Sequence, residues 1–438
     1  MADLNTHTAT QNARSHICGK SQMNHNDKYR RTRSTTLFVT VLAVAIIGLG
    51  GYWGYHYWVE QKLITRTESL LADAEEQRNS QNYEAALTTY NQAMDIAPEN
   101  PRIWQGVGVV LTALERFGEA IGHFDRSLEL GPETFETRIG LAISFENLDK
   151  FAESEQNYKA AIALNPYTAD SYFNLGWLYH RHGLYEDAEK QYREALTMRS
   201  GFFQAHANLG LVLTRMFKPG EALKSYRNAL DIRPSEGRIA AWMGSCYMTL
   251  SDYDSAETRY INAQELGYRD SEMLRNLGII HANRNAIDDA QAYFQQAATL
   301  DSTDAESYYR LAEIYDQKGN VKQAAKYYFR SLRFKPDYAS AYYKLSRMYS
   351  AQGRTDEAEK LLETFDHWKK YERELAEVQV AYQNNPRDPD AAYALGMTYL
   401  RFGQQRPAEH IFEDLLRIWP EHDLANEQLD KIRGYSRR

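Results

Sequence analysis

A 34-residue period runs through most of this chain, and it constrains the fold more tightly than any other feature. Gly176, Ala188, Tyr192 and Ala195 are followed 34 residues later by Gly210, Ala222, Tyr226 and Ala229, then by Gly244, Ala256, Tyr260 and Ala263, then by Gly278, Ala290, Phe294 and Ala297. The register extends back through Ala142, Ser154, Tyr158 and Ala161 to Gly108, Ala120, Phe124 and Ser127, and forward to Ala312, Ala324, Tyr328 and Ser331. Pro98, Pro132, Pro166, Pro234, Pro336 and Pro420 fall at one phase of the same cycle. Such a period marks stacked units that bury a continuous core only against one another. Within a unit, the glycine lets a first helix approach a second, and the alanines do the same from the other side. The aromatic residue fills the gap to the next unit, and the proline stops the second helix.

Ten units can be counted. Nine run without a gap over 67–372, and the tenth covers 389–422 with Gly396, Ala408, Phe412 and Pro420 in register. The 16 residues between them, 373–388, form a helical insertion. From 356 to 385 there is no Pro or Gly, so the spacing predicts either one rod of about 45 Å or two helices broken near Trp368. Residues 423–438 form a capping helix and tail, where Leu424, Leu429 and Ile432 cover the last unit while charges face water. Eleven prolines in 438 residues suit a chain made almost wholly of helix.

The units "WQGVGVVL" at 104, "YFNLGWLY" at 172 and "AEKQYREAL" at 188 resemble the tetratricopeptide repeat, W-x₂-L-G-x₂-Y followed by A-x₃-F and P. The resemblance covers about four-fifths of the chain. It implies an all-α, right-handed superhelical solenoid of about ten helix hairpins that binds other proteins along its concave face. No catalytic, cofactor-binding or metal-binding residues follow from it.

Ahead of the array, residues 1–36 carry six basic side chains against two acidic ones, within a chain whose net charge is −8. They read as a disordered basic tail. Residues 37–59, LFVTVLAVAIIGLGGYWGYHYWV, hold no Asp, Glu, Lys or Arg. As a helix this stretch is about 35 Å long, against about 30 Å for a bilayer core, so it reads as a single transmembrane helix. Tyr52, Trp53, Tyr55, Tyr57 and Trp58 would form an interfacial belt, and 60–66 a connector. The basic flank then puts the N-terminus in the cytoplasm and the repeats across the membrane. The expected setting is a bacterial inner membrane with a periplasmic body, and Gly50 and Gly54 offer a GxxxG pair for a homodimer. The acidic array excludes a nucleic-acid partner, and Cys18 and Cys246 make neither a disulfide framework nor a Cys-based zinc motif.

His180, Arg181 and His182 read as solvated turn residues, because the equivalent positions in the next unit hold Thr214, Arg215 and Met216. By the resemblance, the position of Trp177 points into the concave groove. Along the array it reads Val109, Ile143, Trp177, Leu211, Ser245 and Ile279, then Glu313 and Arg347. Asn174, Asn208 and Asn276 stand beside it, each within NLG. In the superhelix of O-linked N-acetylglucosamine transferases, asparagines at the matching place hold a peptide backbone. The expected groove is therefore Trp177, Asn174, Asn208, Asn276, Leu211, Ile143 and Val109, taking an extended peptide or helix. The carboxylate clamp of chaperone-binding repeats is broken here by Asp170 and Trp242. No GxxxxGK[ST], HExxH or GxSxG motif occurs. The leading reading is a membrane-anchored scaffold for assembly or secretion. A cytosol-facing import or chaperone co-receptor is the second reading, and an enzyme with its site in the insertion is the third.

Overall fold

The computed structural model describes residues 25–434, with side chains from residue 38 onward except residue 39. Twenty-one helices, and no strand, make up the described residues. After the first helix, His25–Asn79, and its partner, Tyr83–Ile96, A helices of 13 residues alternate with B helices of 14, except for Tyr253–Glu265 with 13 and Thr355–Asn384 with 30: Pro101–Ala113 pairs with Phe117–Leu130, Ala169–Arg181 with Tyr185–Met198, and so on to Pro389–Arg401 with Gln405–Ile418. A closing helix, Asp423–Ile432, ends the stack. Each hairpin packs internally and against its neighbours, which is the stacked solenoid implied by the period.

The repeating residues sit where the spacing argument puts them. Tyr158, Tyr192, Tyr226, Tyr260, Tyr328, Phe124, Phe294 and Phe412 are almost wholly buried. A Cβ added to Gly210 would lie 2.3 Å from the ring of Tyr226, and one added to Gly176 would lie 2.9 Å from Tyr192. The glycine therefore makes room for the aromatic ring of its own hairpin. The turn between A and B helices has a feature that the period does not reveal. Gln81, Glu115, Asp149, Phe217, Ser251 and Asn285 all have φ between 54° and 60°, at one phase with Gly183, Gly319 and Gly353. Each hairpin thus turns through one left-handed residue, and six of these residues bear side chains.

Two expectations need correction. Residues 1–24 of the expected tail lie outside the described residues, but from His25 the backbone is helical rather than unstructured. The sequence 25–36 contains no Pro or Gly to stop that helix. The helix runs for 55 residues in all, about 80 Å, through the expected span and connector into the first repeat. There Leu70, Leu71 and Ala74 are buried. Among the described residues no helix is long and apolar enough to cross a membrane. The mostly apolar stretch 37–49, which includes Thr40 and Gly48, spans only about 20 Å as helix, and Gly50, Gly51, Gly54, His56 and polar-tipped aromatics follow it. Side chains such as Val41, Ile47 and Trp53 are exposed, and Gly50 and Gly54 face open space.

The segment 356–385 forms most of one helix, Thr355–Asn384, of 30 residues. Its first half is the B helix of the ninth hairpin, and its second half carries residues 373–384 of the insertion, the remaining 385–388 forming the joint to the tenth hairpin. The tenth hairpin is therefore mounted at the end of a rod instead of stacking at the usual spacing.

Candidate protein-binding groove

The positions expected to line the groove recur at one phase of the A helices. Trp177 is 39% exposed, with its ring edge-on to His180 at 5.7 Å. Leu211 is half-buried and lines a cavity of about 420 Å³ together with Tyr185, Arg215, Phe217, Trp242 and Gln383. Trp242 lies against Tyr226 at 5.8 Å. Val109 and Ile143 are half-buried and pack against the cores of their hairpins, so they offer less surface than Trp177.

The three asparagines differ. Asn276 donates from Nδ2 to the Tyr260 hydroxyl at 2.9 Å, so its amide already serves the hairpin. Asn174 and Asn208 are half-buried beside Trp177 and Leu211 in sequence. Further along, the ladder is ionic and neutralised internally. Arg310 reaches Glu306 at 2.8 Å and Glu313 at 3.0 Å, and Lys344 reaches Glu313 at 3.6 Å. This row of positions is thus apolar in its middle and ion-paired toward repeat eight.

His180 and His182 are not the solvated turn residues expected. His182 is 7% exposed, packed edge-on against Phe151 at 4.7 Å. Burial first, then Arg417 and Arg181, push its pKa down to about 4, with Asp149 opposing. His180 is half-buried between Trp177 and Tyr185, and burial lowers its pKa too. His182 is thus covered by Phe151 of the preceding repeat, and Arg417 of the tenth hairpin is among the charges that reach it. Arg181 pairs with Glu146 at 3.4 Å and Asp149 at 3.5 Å. Phe217 and Trp242 line the same cavity as Leu211 but are not among the expected groove residues. Trp242 interrupts the Asn174–Asn208 ladder at the same phase, and that substitution was the available signal. Gln383 carried no signal, because it reaches this cavity from a distant helix.

Residues 159–379, half of the chain, match the family model described as the Cilia and flagella-associated protein 70 C-terminal domain. The chain belongs to this family. Residues 71–133 match the tetratricopeptide repeat itself. No curated protein matches the chain. Among solved structures it is similar to pilF of Pseudomonas aeruginosa, at 20% identity over 50% of this chain and 97% of that one, with a TM-score of 0.41. It is similar to the C-terminal part of a TPR repeat-containing protein from Cytophaga hutchinsonii, at 16% identity over 55% and 99%, with a TM-score of 0.48. Yeast Tom70 is similar at 13% identity over 84% and 96%, with a TM-score of 0.35.

The match corrects the expected setting. A bacterial inner membrane with a cytoplasmic N-terminus and periplasmic repeats is overturned by a family named for a cilia- and flagella-associated protein. The chain is a tetratricopeptide protein-binding scaffold, of a kind that is typically non-catalytic.

Proposed function

We propose that this chain is a scaffold in a cilium- or flagellum-associated assembly, and that it holds an extended or helical segment of a partner protein along the groove of repeats two to five. The observation that carries this reading is Trp177, a large aromatic side chain left 39% exposed at a position expected to face the groove. Exposed aromatic anchors at such surfaces often dominate binding. Leu211 continues the apolar strip, and the amides of Asn174 and Asn208 supply both a donor and an acceptor for an extended backbone. The ciliary setting is taken from the family description.

The test is a triple variant, Trp177→Ala with Asn174→Ala and Asn208→Ala. Affinity capture from ciliated-cell extract, compared with the parent, should lose the partners that the parent enriches, while the helical circular dichroism persists. Tyr192→Ala is the control. It opens a cavity in the core and should lower the thermal midpoint instead. Normal capture by a folded triple variant would show that the partner uses another face.

A further inference from the structure

The end of the chain returns to its middle. Arg387, in the joint after the long helix, lies 3.0 Å from Glu155 and 2.9 Å from Asp187, with its guanidinium over the ring of Tyr179 at 5.4 Å. These partners stand 232 and 200 residues earlier, on the B helices of repeats three and four. Tyr179 donates its hydroxyl to Glu155 at 2.8 Å, so the cage has an aromatic face fixed to one of its carboxylates. The B helix of the tenth hairpin packs on that of the third, and Ile418 joins the core of the middle repeats. Tyr382 comes within 4.0 Å of where a Cβ on Gly183 would stand. One residue further on, Gln383 forms part of the wall of the groove cavity.

The ion-pair set at this contact has Arg387 39% and Asp187 42% exposed, within reach of water and salt, and Glu155 only 16% exposed. The arm that carries it is a 30-residue helix without Pro or Gly, which moves as one piece. Its tip forms part of the wall of the cavity bounded by Leu211, Phe217 and Trp242. We propose that the tenth repeat is a latch closing the solenoid onto its own middle, that Arg387 is the catch, and that release widens the groove.

The latch can be tested without any partner. Spin labels at Glu153→Cys and Glu421→Cys, in a Cys18→Ser background that keeps the buried Cys246, report the distance between hairpins three and ten. In dilute salt the parent should give one short distance, and Arg387→Glu should add a longer population. Combining Arg387→Glu with Asp187→Arg and Glu155→Gln restores an opposite pair and should restore the short distance. Maleimide labelling of Leu211→Cys should run several-fold faster with Arg387→Glu than without it. An unchanged short distance in Arg387→Glu, no restoration by the compensated variant, or an unchanged labelling rate would each overturn the latch. Retained helical dichroism in every variant excludes unfolding as the cause of a change.

Discussion

Two glycines with the same composition should behave oppositely. Gly210 faces the Tyr226 ring at 2.3 Å from an added Cβ, and that ring is itself fully buried. Gly210→Ala therefore overpacks the hairpin and should cost about 1–3 kcal/mol in chemical denaturation. Gly122 lies within the helix Phe117–Leu130 with nothing within 4 Å. Gly122→Ala should stabilise by about 0.5–1 kcal/mol, because it removes backbone freedom from the unfolded chain and meets no neighbour. Phe217 gives a third test. Its φ of 54° suits glycine, and its side chain is 72% exposed. Phe217→Gly should raise the thermal midpoint, with a gain on the order of 0.5–1 kcal/mol. A fall would show that the ring's contacts outweigh the backbone strain. The glycine and aromatic positions could be read from the period, since the same pair recurs in each unit. The left-handed turn could not, because six different side chains occupy it.

Among the elements, the hairpins were legible and the long helix only partly so. Thr355–Asn384 has no internal breaker, and this predicted helix, but nothing local distinguished one rod from two. Continuity at Trp368 is supported by a neighbour from a flanking element: Tyr371, three residues on, packs at 5.2 Å and a tilt of 51° against Phe402 in the turn of the tenth hairpin. Deleting 373–388 restores the 34-residue phase but removes Arg387 and the outer half of the rod. The shortened protein should unfold cooperatively and remain helical, because the tenth hairpin can stack directly on the ninth. Its radius of gyration in small-angle scattering should rise, because the contact with repeats three and four is gone. An unchanged scattering profile would mean that the insertion does not set the path of the array.

At the scale of the whole molecule, the closure was invisible in the sequence. Glu155, Asp187 and Arg387 occupy unremarkable polar positions, and only the accumulated rotation of the stack brings them together. The same geometry gives the fold a pH dependence. His182 sits between Phe151 and groups that include Arg181, Asp149 and, from the returning hairpin, Arg417. Its pKa is depressed from 6.5 to about 4, so the folded state holds fewer protons than the unfolded state between those values. The stability this contributes is fully present above about pH 6.5 and is lost as pH falls toward 4, on the order of 3 kcal/mol in all. Thermal midpoints measured across that window should fall more steeply for the parent than for His182→Gln. Equal slopes would place the titration elsewhere. The first helix carries a consequence of another kind. It is a shaft, continuous from His25 into the core of the first repeat, so length and angle cannot vary independently along it. Each residue added or lost between 60 and 66 turns everything upstream by about 100° relative to the groove and shifts it by only about 1.5 Å. Changes of about seven or eleven residues nearly preserve the bearing. Whatever the exposed apolar stretch meets is thereby held at a fixed azimuth to whatever the groove holds.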